Sequence, residues 1–182
     1  DRDGNPNISA ETTAETLRLH RGLAVENHRE MLHELARHMS ISSQRIPPPA
    51  ALMQWIESRR PFPARATYIE DRYVLEPYRL VLSLLAADLA EVGLKDMKSR
   101  LLESTPRRAH VYLNELLEPI EIIAGALPPS LLQGEFTHSQ KKLRIFGLHA
   151  VRLDIREDSS RLNSALSEIL RALGISSNFE GL

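Results

Sequence analysis

Cysteine is missing from all 182 residues, which excludes disulfides, thiolate nucleophiles and cysteine-ligated metals and suits a reducing, cytoplasmic compartment. Long hydrophobic runs are missing too. None approaches the roughly 20 apolar residues that a membrane-spanning helix needs. Charge of one sign is also lacking: 23 Lys and Arg face 24 Asp and Glu, a formal net charge of −1, unlike a protein that binds nucleic acid by neutralising phosphates. The 8 glycines are scattered. With no Gly-rich phosphate loop and no nucleophile elbow, P-loop and serine-nucleophile chemistry have no support. Lysine is scarce, confined to Lys95, Lys98, Lys141 and Lys142, so the basic residues are mostly arginine. Arginine's fixed fork grips carboxylates and phosphates on two oxygens at once.

What is present reads as a globular, mainly helical chain, 42% hydrophobic and 26% charged. Ser9 is an N-cap for a helix to about His38, with Leu17, Ala24, Met31 and Leu35 as its apolar stripe. Pro47, Pro48 and Pro49 forbid its continuation. Further helices are predicted over Ala50–Arg60, Ala64–Leu75, Tyr78–Val92 (launched by Pro77, ended by Gly93), Lys95–Glu103, Arg107–Ala126 and Thr137–Phe146. Pro119 should split or kink the helix over Arg107–Ala126. Then the period changes. His149, Val151, Leu153 and Ile155 alternate with Ala150, Arg152, Asp154 and Arg156, the two-residue repeat of a strand. Ser160–Leu173 returns to helical spacing and ends at Gly174. A lone strand has no backbone partners of its own. With Asp1 opening the chain without an initiator methionine, an internal piece of a longer protein is the expectation.

Three clusters could carry chemistry. His33-Glu34-Leu35-Ala36-Arg37-His38 is one residue longer than the zinc-protease helix motif. Its two histidines fall roughly 140° apart on a helix. His20, His28, His33 and His38 are therefore read as solvated helix residues rather than metal ligands. Asp1-Arg2-Asp3-Gly4-Asn5-Pro6-Asn7 packs alternating charge around one glycine and one proline, just before a helix. It is either a well-capped turn or an arginine positioned as a cation between two aspartates. The strand sets Arg152, Asp154 and Arg156 on one face. That row is either an exposed edge with salt bridges or the polar, C-terminal mouth of a barrel strand, where chemistry sits in α/β barrels.

The order of the motifs resembles the phosphoenolpyruvate carboxylase family. The family's GGDRDGNPNVT-like loop is matched by DRDGNPNIS at Asp1–Ser9, and its FGLxLVxLDIRQES segment by IFGLHAVRLDIREDSSR at Ile145–Arg161. Between them Glu76-Pro77-Tyr78-Arg79 and Leu116-Leu117-Glu118-Pro119-Ile120 resemble its EPYR and LLEPL helix starts, whereas Ser40–Tyr73 matches weakly. RQES is here Arg156-Glu157-Asp158-Ser159, and the histidine common after the next arginine is Leu162.

The resemblance implies a fold that is mainly α: a helical region over 1–144 opening with the DRDGNPN loop, and a strand–helix unit of a larger (β/α) barrel over 145–182. It implies carboxylation of phosphoenolpyruvate by bicarbonate through carboxyphosphate and an enolate, giving oxaloacetate and phosphate with Mg²⁺ or Mn²⁺. Arg156 becomes the substrate-binding cation, with Arg2, Asp3 and Asn5 lining the same mouth. No catalytic residue and no metal ligand is expected within the chain, because the TAHPT-like histidine motif, the FHGRGG-like loop and the metal carboxylates lie beyond its ends. The parent is expected to be a cytoplasmic homo-oligomer with no nucleic-acid or membrane partner, and the isolated chain to be inactive and to self-associate. The rival reading is a non-enzymatic helical interaction module.

Overall fold

Ser9 caps the first described helix by accepting a hydrogen bond from the Thr12 amide at 3.1 Å, one of the N–H groups that a helix start leaves unpaired. The structure is a computed structural model that describes residues 8–62, 64–91, 111–152 and 158–174. Helix α1, Ala10–His38, is 29 residues long and ends with Arg37 and His38 in its last turn, where cations complement the helix dipole. Helices α2 (Ala50–Ser58), α3 (Ala64–Arg72), α4 (Pro77–Glu91), α5 (Leu113–Ala126), α6 (Pro129–Leu132), α7 (Glu135–Phe146) and α8 (Ser159–Ala172) follow. The described residues form two units, one running from Ile8 to Val151 and the other containing Arg152 and α8.

In the larger unit α4 is the hub. Tyr78, Val81, Leu82, Leu85 and Ala86 are all 0% exposed, Leu80, Leu84 and Leu89 are buried with them, and α1, α3 and α5 pack around the helix. Helix α2 packs on α5, α7 on both α1 and α5, and the single turn of α6 on α7. The face that α1 turns inward holds Arg21, Ala24, Val25, His28, Leu32, Leu35 and Ala36. This corrects the expected stripe: Leu17 and Met31 are only half-buried. A strict heptad drifts about 20° per repeat on a straight helix, so over this length the inward row moves on to the neighbouring positions.

Tyr78 shows how α4 is seated. Its ring is fully buried, and its hydroxyl donates to the Pro47 carbonyl at 3.1 Å, holding the proline segment between α1 and α2. Beside it Glu76 accepts from the Ser40 hydroxyl at 2.7 Å and from Arg79 at 3.2 Å, and the Arg79 guanidinium lies over the Tyr73 ring at 4.4 Å. The Ser43 amide closes the junction on the Leu75 carbonyl at 2.8 Å. Glu76-Pro77-Tyr78-Arg79 is thus a helix start that staples the α1–α2 loop to the hub.

Other expectations need correcting. Leu116–Ile120 lies inside α5 rather than at its start, which is set by Tyr112, whose amide donates to Glu115 at 2.9 Å. Helix α5 runs unbroken through Pro119. Helices α2 and α3 stop at Ser58 and Arg72, short of the expected Arg60 and Leu75. Among the described residues there is no strand. His149 and Ala150 belong to a turn, and Ala150 has φ 58°, a left-handed conformation that an extended strand cannot contain. Residues 153–157, which would carry the rest of the alternation, lie outside the described residues, as does the helix expected over Lys95–Glu103.

The smaller unit's α8 is capped by Asp158, whose carboxylate accepts from the Ser160 amide at 2.8 Å and the Ser160 hydroxyl at 2.5 Å. It closes with Gly174 at φ 74°, the left-handed position that favours glycine after a helix. None of its residues is buried. Leu162, Leu166, Ile169 and Leu173 form an apolar row along one side, each at least 40% exposed.

Candidate functional site

Of the residues predicted to bind substrate, Arg2, Asp3, Asn5 and Arg156 all lie outside the described residues. Their sequence neighbours are described. The first segment enters α1 directly through the Ser9 cap. The second is preceded in sequence by a tight turn and followed by the Asp158 cap of α8.

That turn begins where α7 ends. Gly147 has φ 55° and ψ −148°, a region that only glycine enters readily, and its amide still donates to the Leu143 carbonyl at 2.9 Å. The Ala150 amide donates to the Phe146 carbonyl at 3.2 Å, and the Val151 amide to the His149 carbonyl at 2.7 Å. With Ala150 at φ 58° this last bond closes a γ-turn of the rarer, left-handed kind. The sequence Phe146-Gly147-Leu148-His149-Ala150-Val151 therefore makes two left-handed reversals before the chain proceeds to Arg152.

His28 holds this turn from outside. It sits on the inward face of α1, 4% exposed, and its Nε2 lies 2.6 Å from the Gly147 carbonyl oxygen. A carbonyl can only accept, so Nε2 carries the proton and donates it. Burial pushes the imidazole below its ordinary value of 6.5; the bond to Gly147 opposes this, and the charge of Lys142 adds to it. His28 is therefore neutral at neutral pH, suited to holding a backbone group. The expectation that it is solvated is wrong. The available signal was its register: position 28 is four residues from both Ala24 and Leu32, on the same helix face.

The surface beside His28 is a cleft of 570 Å³ between α1 and α7, lined by Asn27 and Glu30 on one side and by Glu135, Ser139 and Lys142 on the other. Its charge is mixed. His38, one end of the zinc-protease-like spacing, sets its Nδ1 against the Glu135 carboxylate. Burial, then the charges of Arg29 and Arg37, push His33 down. Among the described residues no group of three or more His, Cys, Asp or Glu could hold a metal ion. No described helix is long and apolar enough to cross a membrane.

Asp158 also accounts for one departure from the resembled motif. Where RQES has glutamate, this chain has aspartate, and aspartate is among the best N-cap residues because its short carboxylate reaches the second amide of the helix. Hydrogen bonds from the Ser160 hydroxyl, then its amide, hold that carboxyl below its usual range.

The comparisons agree with this order of motifs. The family model described as phosphoenolpyruvate carboxylase matches residues 1–182. This chain belongs to the phosphoenolpyruvate carboxylase family. Among its relatives, the phosphoenolpyruvate carboxylase of Roseiflexus castenholzii is 27% identical, covering 100% of this chain and 20% of its own length. That of Pseudomonas fluorescens is 32% identical, covering 96% of this chain and 18% of its own. That of Synechococcus is 31% identical, covering 95% and 19%. The chain therefore spans about a fifth of the length of the curated relatives it matches.

Proposed function

We propose that the longer protein containing this segment carboxylates phosphoenolpyruvate with bicarbonate, giving oxaloacetate and phosphate, and that the segment contributes part of the substrate pocket. The observation that carries this reading is the family match over all 182 residues, with the DRDGNPN and LDIREDS motifs in order at its two ends. Arg156 supplies the cation that neutralises the substrate's phosphate or carboxylate as charge shifts during transfer. Arg2, Asp3 and Asn5 line the same mouth, and the 145–182 stretch joins a (β/α) barrel completed by other parts of the parent. The parent's Mg²⁺ or Mn²⁺ is held by side chains outside this segment. The parent is a cytoplasmic homo-oligomer.

The segment on its own is inactive. The test compares oxaloacetate formation, coupled to malate dehydrogenase, by the purified 182-residue chain and by a longer chain extended at both ends. Activity in the longer chain alone, with a raised KM for phosphoenolpyruvate in its Arg156→Ala variant, is the expected result. Turnover by the short chain would sink the inactivity claim, and an Arg156→Ala variant with unchanged KM would sink the role of Arg156. The exposed apolar row on α8 favours a second reading, an interaction module that self-associates. A longer chain with no carboxylase activity, together with a concentration-dependent dimer of the short one, would support that reading instead.

A further inference from the structure

We propose that the cleft between α1 and α7 binds a free, neutral amino acid: an ammonium and a carboxylate on one carbon, with an apolar side chain. Its lining residues lie between Ala24 and Ala150, all within the larger unit. The proposal does not rest on the carboxylase reading.

The two walls run antiparallel, since His38 meets Glu135 at one end while His28 meets Gly147 at the other. Between these contacts Lys142 falls level with Met31–His33, within a helical turn of Glu30 along the axis. Glu30 and Lys142 line opposite walls, and among the described residues neither is ion-paired. Arg29, next to Glu30 in sequence, is turned to Glu26. The cleft's other carboxylates are engaged, Glu34 by Arg37 at 3.3 Å and Glu135 by His38. One carboxylate and one ammonium are thus left facing the same space.

Two buried polar groups join them. Ser139 lines the cleft at 5% exposure, and among the described residues its hydroxyl has no hydrogen-bond partner. Ser164 and Ser167 in α8 satisfy theirs by donating to the carbonyl four residues earlier, at 2.9 and 2.7 Å; Ser139 does not. A buried hydroxyl left unmade is costly, so one that lines a cleft points to a ligand atom. His28 gives its Nε2 proton to Gly147, which leaves Nδ1 as a bare acceptor in the same wall of α1.

The walls therefore differ in sense. Helix α7 offers donors, the Ser139 hydroxyl and the Lys142 ammonium, neighbours at i and i+3. Helix α1 offers acceptors, His28 Nδ1 from the buried side and the Glu30 carboxylate from the exposed side. A ligand carboxylate against α7 and its ammonium against α1 answers both. Ala24, Met31 and Phe146 supply apolar surface for the side chain, and Glu34 and Glu135 disfavour a second carboxylate on the ligand. The volume of 570 Å³ falls within the roughly 300–1,000 Å³ usual for small-molecule sites.

The test titrates L-leucine into the isotope-labelled 182-residue chain and follows amide chemical shifts. Isopentylamine lacks the carboxylate, isocaproate the ammonium. Leucine should give saturable shifts confined to Ala24–Glu34 and Glu135–Phe146, and either single-ended analogue should bind about tenfold more weakly, the loss of one charge-assisted contact. Glu30→Gln and Lys142→Met, both at exposed positions that do not disturb the core, should each weaken leucine binding about tenfold. Ser139→Ala should weaken it several-fold, with the Leu82 and Leu85 amides of α4 unmoved in all three variants. Absence of saturable shifts, shifts along the α8 row instead, or equal affinity for leucine and isopentylamine overturns the proposal. So does unchanged leucine affinity in Glu30→Gln or Lys142→Met.

Discussion

Helices α4 and α8 are nearly equal in length, 15 and 14 residues, yet opposite in environment. Seven residues of α4 between Tyr78 and Leu89 are at most 2% exposed, and three neighbouring helices cover them. Helix α8 buries nothing, although its four large apolar side chains are spaced as regularly as those of any core helix. Periodicity thus marks the face that can be buried, whereas burial needs partners that pack on it. In α4 a broad apolar surface compels them; in α8 a narrow row only permits them. The stability of the larger unit should therefore respond strongly to α4.

The hardest blow to that contrast is Leu85→Ala. Leu85 is 0% exposed at the centre of the hub, and truncation should cost about 2–5 kcal/mol, read as a lower urea midpoint with an unchanged slope. A loss within the scatter of surface changes would show that α4 is not the hub. Tyr78→Phe is the finer cut. Removing the hydroxyl leaves the Pro47 carbonyl without its donor, for about 0.5–1.5 kcal/mol, with amide exchange loosened in the α1–α2 loop rather than in α5.

Acid separates the same regions by another route. His28 is pushed below 6.5 by burial and His33 likewise, so the unfolded chain binds these protons more readily than the folded one. Their contribution is complete above about 6.5 and is lost as pH falls below it. Glu76, held below 4.5 first by the Ser40 hydroxyl and then by Arg79, adds a loss only in more acid solution. Stability measured from pH 7.5 to 5 should fall in the native chain and fall less in His28→Gln; equal slopes would count against a buried, neutral His28. Smaller still is Asp158→Ala, which should fray the first turn of α8, seen in the carbon chemical shifts of Ser159–Arg161, and leave the larger unit untouched. Least of all should come from Leu166→Ala, within about 0.5 kcal/mol on urea unfolding of the larger unit. A large effect there would contradict the exposure of the α8 row.

How far the sequence foretold this differs from residue to residue. Ser9, Pro77 and Gly174 mark helix ends by local chemistry, and all three ends fall where that chemistry puts them. Pro119 misled because a proline removes one hydrogen bond but does not forbid a helix whose other turns are packed, as α5 is against α2 and α7. The alternation at His149–Ile155 misled over its first residues because period two is also met by chance in a turn, and nothing local announces that Ala150 is left-handed. His28 escaped because its partner is a backbone carbonyl 119 residues away. Pairing of that kind follows from the fold and leaves no spacing to read. The family was legible in the motifs, but the described residues hold only the frame around the substrate-binding positions expected from them.

Helix α1 has one more consequence. No described residue before Arg21 is buried, so Ala10–His20 extends past the packed face as a beam clamped at one end. A beam magnifies what happens at its clamp. At 1.5 Å per residue, a tilt of about 5° where α1 meets the hub would carry Ser9 roughly 1.5 Å. Repacking beneath Ala24 or Val25, far from any substrate, would then be felt first at the tip, where the chain joins the DRDGNPN loop.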